Sequence, residues 1–508
     1  MASRHMRDYC GHFYEKKITL MGLGLLGRGV GVAKFLAECG AELIVTDLKT
    51  KEQLAPSLKK LARFKNIRYV LGEHRLEDFR SADMVIKAAG VPLDSSFIAE
   101  ARRRGVSIKM DASLFAELAP EDVLLVGVTG TRGKSTTTQL IYEILSQGVV
   151  QRSKVKGQRF AHPRVFLGGN MRGLATLPLL RRVRGGDIVV LELDSWQLQG
   201  FGESKISPHV AVFTTFFDDH LNYYGGDRAR YFNDKANIFA YQSGVNNFQF
   251  SISNFQSNLK FQKIKSKTQP TLIVGEQAAS LIHKNFPGLA KHMIVARPHD
   301  IPKNWKLVIP GEHNRYNAAC ALRAADALGV PRAISKRVIT TFRGLPGRLE
   351  FVRELRGVKI YNDTCATTPE ATIAALRTLG DRPLKAKSYK LTARKIVLVM
   401  GGSDKGLDMA GLFKEIPKYC KTVVLLGGAG ARRLLEIENC LPAGAVAKAG
   451  KLKILPFVQT LQEAVVSALS LATKGDVVLF SPAFASFGMF KNEFDRGEKF
   501  VRTVRALR

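Results

Sequence analysis

One stretch constrains the fold more than any other: VLLVGVTGTRGKSTTT, residues 123–138. A short apolar run ends in Gly130, a glycine-bearing turn follows, and Lys134 and Ser135 open a segment of helical composition. This order of strand, turn and helix predicts a phosphate-binding loop, because backbone N–H groups and the helix dipole then face an anion. The usual Gly-x-x-x-x-Gly-Lys-Ser/Thr pattern fails at Val128, so the residues indicate either a variant loop or a glycine turn followed by a chance lysine.

The loop belongs to a chain in which short apolar runs alternate with helical stretches. Such alternation predicts parallel sheets with helices on their faces. We therefore predict an α/β fold of three domains: a Rossmann-like N-terminal domain (1–110), a P-loop-type central domain with a mainly parallel sheet (111–344), and a Rossmann-like C-terminal domain (345–508). The predicted strands are 17–24, 42–47, 83–90, 123–130, 187–194, 209–216, 358–363, 395–402, 422–428 and 476–483, and the predicted helices include 27–40 and 134–147.

A second glycine motif opens the chain. Residues 22–27 read Gly-x-Gly-x-x-Gly between a predicted strand and a predicted helix, and Asp47 ends the next strand. This is the layout of a dinucleotide-binding domain, and by itself it favours an NAD-dependent enzyme. Hydride chemistry would, however, leave the Lys134 loop without a role.

The charge balance is unusual. With 77 Lys and Arg against 44 Asp and Glu, the net charge is +33, which raises nucleic-acid binding or a nucleic-acid-stimulated ATPase as an alternative. Part of the excess lies in the basic stretches 150–165 and 383–395, which we interpret as solvated insertions, and residues 243–270 form a polar stretch of similar character. No aromatic and basic platform accompanies the charge, so we expect no nucleic-acid partner.

The compartment is indicated by what the sequence lacks. No apolar run reaches the roughly 18–20 residues of a membrane span, and the N-terminus has no apolar signal region. The six cysteines are scattered, with no C-x-x-C pair. We therefore expect a protein without a membrane span in a reducing compartment, the cytoplasm.

Polar residues follow two further predicted strands at the edge where α/β sheets place ligands. Glu192 closes one strand, and Asp219 and His220 follow the other. With Ser135 they offer the hard ligands that Mg–ATP needs. Each has a plainer interpretation: a surface acid, a structural histidine and, for Lys235 on a nearby helical stretch, a lysine that snorkels to solvent.

Taken together, an ordered set of motifs resembles the Mur ligase family from about residue 17 to the C-terminus. The C-terminal motifs resemble its D-glutamate-adding members. The motifs are TGTRGKST (129–136), GGN (168–170), ELDS (192–195), DH (219–220), Lys235, GEHNRYN (311–317), LPGR (345–348), NDTCATTPEAT (362–372), GGSDKG (401–406) and the segment 481–500.

The resemblance implies a reaction and its partners. ATP would activate the carboxylate of UDP-N-acetylmuramoyl-L-alanine as an acyl phosphate, and the amino group of D-glutamate would displace the phosphate, a step of peptidoglycan synthesis. Two Mg²⁺ ions and a carbamylated Lys235 are implied, and we expect a monomer. Closure of the C-terminal domain would be required, because Lys134 and Arg348 lie on different domains.

The resemblance also assigns residues. The implied catalytic and metal-binding residues are Lys134, Ser135, Glu192, His220 and Lys235. The implied ATP contacts are Thr129, Gly130, Thr131, Arg132, Gly133, Lys134, Ser135, Thr136, Asn314, Asn317, Arg348 and Asp363. The implied contacts of the UDP substrate are Gly24, Leu25, Leu26, Asp47, Gly90, Asn170 and Asp194, and those of D-glutamate are Thr367, Lys405, Ser486 and Phe494.

Three positions depart from the family pattern. Cys365 stands where the family often has lysine, and Asp194 stands where it often has serine beside the metal-binding glutamate. Phe494 comes one position later than in similar members. These departures bear on amino-acid specificity, so a ligase of the same family with another amino acid is the nearest alternative.

Overall fold

The structure is a computed structural model, and it describes residues 9–152, 163–171, 173–220, 223–242, 270–289, 292–380, 395–428, 430, 453–486 and 488–507. Most of the predicted insertions at 150–165, 243–270 and 383–395 lies outside the described residues. The chain divides into two compact units. The first contains residues 1–305 and 316–339, and the second contains residues 306–315 and 340–508.

The first sheet has five parallel strands in the order β3-β2-β1-β4-β5. Every residue of β4 is buried, as expected of a parallel strand whose two faces are both covered by other parts of the chain. The strands are β1 (Lys17–Met21), β2 (Glu42–Asp47), β3 (Ile67–Leu71), β4 (Met84–Lys87) and β5 (Ser107–Lys109), and the helices are α1 (Arg28–Glu38), α2 (Lys51–Lys59), α3 (Leu76–Arg80) and α4 (Ser96–Arg103).

The second sheet has six parallel strands in the order β11-β10-β9-β6-β8-β7. Every residue of β9 and every residue of β6 except Leu124 is buried, in agreement with the central position of this pair in the sheet. The strands are β6 (Leu124–Thr129), β7 (Val165–Gly169), β8 (Ile188–Glu192), β9 (Val210–Phe213), β10 (Thr271–Gly275) and β11 (Met293–Ala296). The helices are α5 (Asp111–Leu118), α6 (Lys134–Arg152), α7 (Ser195–Ser204), α8 (Arg228–Ala236), α9 (Glu276–Asn285), α10 (Glu312–Ala327) and α11 (Arg332–Thr341).

The third sheet lies in the second unit and has the order β12-β13-β17-β14-β15-β16. Its edge strand β12 is antiparallel to β13, and the other pairings are parallel. The strands are β12 (Glu350–Leu355), β13 (Val358–Asn362), β14 (Ile396–Met400), β15 (Cys420–Leu426), β16 (Lys453–Val458) and β17 (Val477–Phe480), and the helices are α12 (Pro369–Gly380), α13 (Ala410–Tyr419), α14 (Leu461–Leu471) and α15 (Glu493–Ala506).

The predicted α/β fold with three mainly parallel sheets is confirmed, and each of the ten predicted strands overlaps an observed strand. The sequence prediction missed seven strands, β3, β5, β7, β10, β11, β12 and β16. The strand predicted over 209–216 ends at Phe213, because Thr214 and Thr215 turn to bind the phosphate loop. Among the helices of the described residues, none is long and apolar enough to cross a bilayer.

Candidate active site

The turn after β6 is fixed by hydrogen bonds to the segment that follows β9. The backbone N–H groups of Thr131 and Arg132 donate to the carbonyl oxygen and the hydroxyl of Thr215, at 2.7 and 2.9 Å. The Thr131 hydroxyl accepts from the N–H of Phe217 at 3.0 Å. Two adjacent strand ends therefore fix the loop as one unit at the carboxyl edge of the sheet.

Both glycines of the loop are required by its shape. Gly130 has φ 141° and Gly133 has φ 86°, which disfavours side chains. A Cβ at Gly130 would lie 2.0 Å from the Thr214 hydroxyl, and one at Gly133 would lie 2.3 Å from Asn317 Oδ1. The variant spacing is thus built into a close-packed loop, and Asn317 lies against it.

Two lysine ammonium groups meet beside this loop. Lys134 Nζ donates to the carbonyl oxygens of Gly130 and Thr131 at 2.9 and 3.2 Å. Lys235 Nζ donates to the same Gly130 oxygen at 3.0 Å and lies 4.9 Å from the centre of the Tyr231 ring. Lys235 is 1% exposed, so the snorkelling interpretation is wrong.

The surroundings of the two lysines disfavour their charged forms. Burial lowers the pKa of Lys134, and the charge of Glu192 acts in the opposite direction. Burial lowers the pKa of Lys235 well below its ordinary value, and the charge of Lys134 adds to that effect. Two lysine side chains without full solvation are therefore held beside the phosphate loop.

The predicted acids and His220 lie on the strand ends around this point. Glu192 ends β8 and is buried. Arg132 pairs with Asp219 at 3.4 Å, and His220 Nε2 lies 3.7 Å from the same carboxylate. His220 has φ 56°, a left-handed conformation unusual for a residue with a side chain, and its ring packs 4.7 Å from that of Trp196. The structure therefore brings Lys134, Glu192, Asp219, His220 and Lys235 to one edge.

Asp194 has a structural role that the sequence did not reveal. Its side chain caps α7 by accepting from the N–H of Gln197 at 2.7 Å. An N-cap carboxylate satisfies a helix N–H that would otherwise lack a partner. Its predicted contact with the UDP substrate stays a prediction.

The first glycine loop is organised by Asp47. Its carboxylate accepts from the N–H groups of Leu23, Gly24 and Lys49, each at 2.9 Å. The side chains of Leu25 and Leu26 are about half exposed at the tip of the loop. Asp47 thus shapes a loop that presents two apolar side chains, and Gly90 follows the neighbouring strand β4. The contacts of these residues with a UDP group stay predictions.

Asn170 connects the two sheets of the first unit. Its backbone N–H donates to the carbonyl oxygen of Glu192 at 2.6 Å, and its side chain reaches Arg28 on α1. A Cβ at Gly169 would lie 2.1 Å from that Glu192 oxygen, so only glycine permits the approach. The GGN motif thereby fixes Asn170 beside a predicted metal ligand.

In the second unit, Asp363 is buried at the end of β13. It accepts from the N–H of Leu349 at 3.0 Å and from the Ser481 hydroxyl at 2.9 Å. Burial raises its pKa to about 7, and the charge of nearby Arg348 acts in the opposite direction. Asn314, in the same unit, donates to the carbonyl oxygen of Pro310 at 2.7 Å.

Two of the residues predicted to bind D-glutamate, Lys405 and Ser486, lie on paired loops, and Thr367 contacts Lys405. Lys405 Nζ donates to the Thr367 hydroxyl at 3.3 Å. The loops that carry Lys405 and Ser486 are joined by Ser403 and Ala485, which exchange backbone hydrogen bonds at 2.9 and 3.1 Å. Ser486 is buried, and Phe494 lies in the first turn of α15.

Arg496 is a residue that the sequence analysis missed. It is fully buried and binds Thr364 through Nε at 3.1 Å, to the hydroxyl, and through one NH₂ group at 2.8 Å, to the carbonyl. Its other NH₂ group donates to the carbonyl of Phe484 at 3.2 Å. Arg496 thereby ties together the segments that carry Cys365 and Ser486. An arginine within an amphipathic helix gives no local signal of such burial.

Comparison with known proteins defines the class to which this fold and site belong. The family model of the MurD-like N-terminal domain of Mur ligases matches residues 16–109, that of the Mur ligase middle domain matches 128–325, and that of the Mur ligase glutamate ligase domain matches 347–484. The chain belongs to the Mur ligase family, and it is a ligase.

Relatives of known name are similar to nearly the whole chain. A UDP-N-acetylmuramoylalanine–D-glutamate ligase of Roseiflexus sp. (strain RS-1) is 37% identical, over 97% of this chain and 99% of the relative. One of Borreliella burgdorferi (strain ZS7) is 33% identical, over 96% and 97%. The solved UDP-N-acetylmuramate–alanine ligase of Thermotoga maritima, at 21% identity, covers 97% of this chain and all of its own, with a TM-score of 0.56, and supports the fold.

Proposed function

We propose that this chain is an ATP-dependent ligase that joins D-glutamate to UDP-N-acetylmuramoyl-L-alanine in peptidoglycan precursor synthesis. The observation that carries the proposal is the pair of half-buried Lys134 and buried Lys235, which donate to one carbonyl of the phosphate loop at 2.9 and 3.0 Å, with Glu192 nearby. A positively charged, desolvated loop is suited to two anions that must meet, a carboxylate and a γ-phosphate. The full-length relatives support D-glutamate as the amino acid.

The reaction follows from the chemistry of the groups. A carboxylate oxygen of the alanyl group attacks the γ-phosphorus of ATP, the bond to ADP breaks, and an acyl phosphate forms. The amine of D-glutamate then attacks the acyl carbon and loses a proton, and phosphate leaves with the carboxylate oxygen. Lys134 would stabilise the negative charge that develops on the transferred phosphoryl group.

Magnesium and a carbamate complete the proposal. Ser135 and Glu192 supply oxygen donors suited to Mg²⁺, and His220 with Lys235 would serve a second ion. Lys235 as an amine is a donor to Gly130 and not a metal ligand, whereas its carbamate would carry oxygen ligands. When bound, the ions would neutralise phosphate charge and orient the reacting oxygens.

We also propose which domain binds each substrate. The N-terminal domain (1–110) would hold the UDP group at Gly24, Leu25, Leu26, Asp47 and Gly90. The central domain (111–344) would hold ATP, and the C-terminal domain (345–508) would bind D-glutamate at Thr367, Lys405, Ser486 and Phe494. We propose a cytoplasmic monomer, in keeping with the lack of a membrane-crossing helix among the described residues.

The test is phosphate release from Mg–ATP with UDP-N-acetylmuramoyl-L-alanine and, separately, D-glutamate, L-glutamate, L-lysine or no amino acid, with bicarbonate present throughout. Release that requires both the UDP substrate and D-glutamate is expected. Release with a different amino acid would retain the ligase chemistry and reject D-glutamate. Release stimulated by nucleic acid alone would reject the proposal.

A further inference from the structure

The guanidinium of Arg28 crosses from the first sheet to the second. Arg28 is the first residue of α1, directly after the glycine loop, and its NH₂ group donates to Asn170 Oδ1 at 2.8 Å. The two elements are in tight contact here, because a Cβ at Gly31 would lie 2.7 Å from the Cβ of Ala175. This contact joins the loop proposed to hold the UDP diphosphate to the residue proposed to meet the muramoyl–alanine end.

The contact decides which way the Asn170 amide faces. A guanidinium has only donors, so it selects the amide oxygen, and the Nδ2 group must point elsewhere. The backbone of Asn170 is already fixed by its 2.6 Å hydrogen bond to the Glu192 carbonyl. Rotation of the side chain is the remaining freedom, and Arg28 removes it. Asn170 therefore presents N–H donors, which suit a carbonyl or carboxylate oxygen.

The other end of the loop that follows Asn170 is also anchored. The buried carboxylate of Asp111 accepts from the N–H groups of Thr176 and Leu177 at 2.8 and 2.7 Å. Burial raises the pKa of the Asp111 carboxyl, and the positive charge of Arg28 acts in the opposite direction. Arg28 thus holds Asn170, Asp111 holds Thr176 and Leu177, and Arg28 is the side chain seen to contact the Asn170 amide within the part of the chain that the structure describes.

The charge of Arg28 gains nothing from the helix that it begins. A cation at a helix N-terminus is opposed by the helix dipole, and the first turn of α1 contains no acidic residue to offset it. In addition, Arg28 Nε is buried and has no hydrogen-bond partner among the described residues. The interactions that favour an arginine at this position are therefore its hydrogen bond to Asn170 and the charge of Asp111.

We infer that Arg28 is a positioning residue for the UDP-linked substrate: it orients Asn170 so that Nδ2 faces the acyl end of that substrate. This inference rests on the proposed function. It makes Arg28 the link between nucleotide binding and placement of the reacting carboxylate.

The experiment compares Arg28→Leu and Arg28→Lys with the wild-type chain in the phosphate-release assay, together with calorimetric binding of UDP-N-acetylmuramoyl-L-alanine without ATP. We expect the KM and Kd of the UDP substrate to rise about 10- to 100-fold in Arg28→Leu, as for loss of a charged hydrogen bond. The KM values of ATP and D-glutamate should stay unchanged. Arg28→Lys should recover only part of the affinity, because an ammonium lacks the fork of donors.

Coupling to Asn170 separates positioning from general stability. In an Asn170→Ala background, Arg28→Leu should add little to the KM, because the two side chains act as a unit. Lys34→Leu, an exposed change on the same helix, is the matched control and should leave KM and the thermal midpoint unaltered. If Arg28→Leu does not fold, Arg28→Lys in the two Asn170 backgrounds provides the same cycle.

Two failures are distinguishable. A wild-type chain without D-glutamate-dependent phosphate release would reject the proposed function. An active wild-type chain whose UDP-substrate KM and Kd are the same after Arg28→Leu, or whose losses are additive with Asn170→Ala, would overturn the inference about Arg28 alone.

Discussion

The side chains of Lys134 and Lys235 donate hydrogen bonds to the same backbone oxygen, that of Gly130, at 2.9 and 3.0 Å. Lys235 is buried and Lys134 is half-buried, so two ammonium groups at this one acceptor would repel each other with less screening than in water. Loss of one positive charge would relieve this repulsion. Conversion of that charge to a negative one would turn it into attraction.

The first prediction is that Lys235 is carbamylated in the active enzyme. Incubation with ¹³C-bicarbonate should give a carbamate carbon signal by NMR that is missing in Lys235→Met. Activity should fall in bicarbonate-depleted buffer and return when bicarbonate is added. In Lys235→Ala, a short carboxylic acid should restore part of the activity by supplying the missing oxygens. An enzyme fully active without bicarbonate and free of the ¹³C signal would contradict the prediction.

The second prediction concerns Lys134. Lys134→Met keeps most of the side-chain volume and removes the charge that would meet the γ-phosphate. We expect kcat for phosphate release to fall by at least about 10²–10³-fold, the size of effect seen when one transition-state donor is removed. Lys284→Met, an exposed change on α9, is the control and should be active. A Lys134→Met enzyme within tenfold of wild type would show that the loop lysine does not stabilise the transferred group.

The third prediction is a pH dependence that arises from Asp363. Burial raises its pKa from 3.8 to about 7, so the folded state holds a proton that the unfolded chain releases near pH 4. Stability from this group is therefore full below about pH 4 and is lost as pH rises to 7. Between these two pH values, the contribution of Asp363 to the free energy of unfolding changes by at most about 4 kcal/mol. Asp363→Asn, which mimics the protonated acid, should remove this component from the pH dependence.

The measurement is the thermal midpoint of the full chain at pH 5 and pH 8 for wild type and Asp363→Asn. Differences between the two proteins cancel the titration of other groups. The thermal midpoint of Asp363→Asn, measured relative to that of wild type, should be higher at pH 8 than at pH 5. An equal midpoint difference at both pH values would show that Asp363 titrates normally in the fold.

The fourth prediction concerns Arg496. Arg496→Met leaves the carbonyls of Thr364 and Phe484 without their donor, at a cost of about 1–3 kcal/mol for each buried group. Because these segments carry the proposed D-glutamate residues, the KM of D-glutamate should rise while that of ATP changes less. Arg502→Met, an exposed change on the same helix, is the control and should leave both the stability and the KM of D-glutamate unchanged. A stable variant with normal KM for D-glutamate would contradict this role.

The sequence was informative where the structural signal is local. Buried parallel strands are continuous apolar runs in the sequence, so β6, β8 and β14 could be predicted. The phosphate loop could be predicted from its glycines and lysine because they follow directly after such a strand. Edge strands gave no such signal. In β12, EFVREL, charged and apolar residues are mixed and none is buried, because only one neighbouring strand pairs with it.

Burial of polar side chains could not be predicted in the same way. The spacing around Lys235 is that of a surface lysine, and its partner Gly130 lies 105 residues away in sequence. Arg496 is held by Thr364, 132 residues away. Such contacts depend on how strands are ordered in a sheet, and no periodicity within one helix encodes that order. Only the resemblance to a family directed attention to Lys235.

The most direct test of the account is the fate of an oxygen atom. UDP-N-acetylmuramoyl-L-alanine carrying ¹⁸O in its alanyl carboxylate is incubated with the enzyme, Mg–ATP, bicarbonate and either D- or L-glutamate, and the released phosphate is analysed by mass spectrometry. We expect one ¹⁸O in the phosphate, released only with D-glutamate, because that oxygen passes through an acyl phosphate. Phosphate without ¹⁸O, or release independent of the UDP substrate, would contradict it.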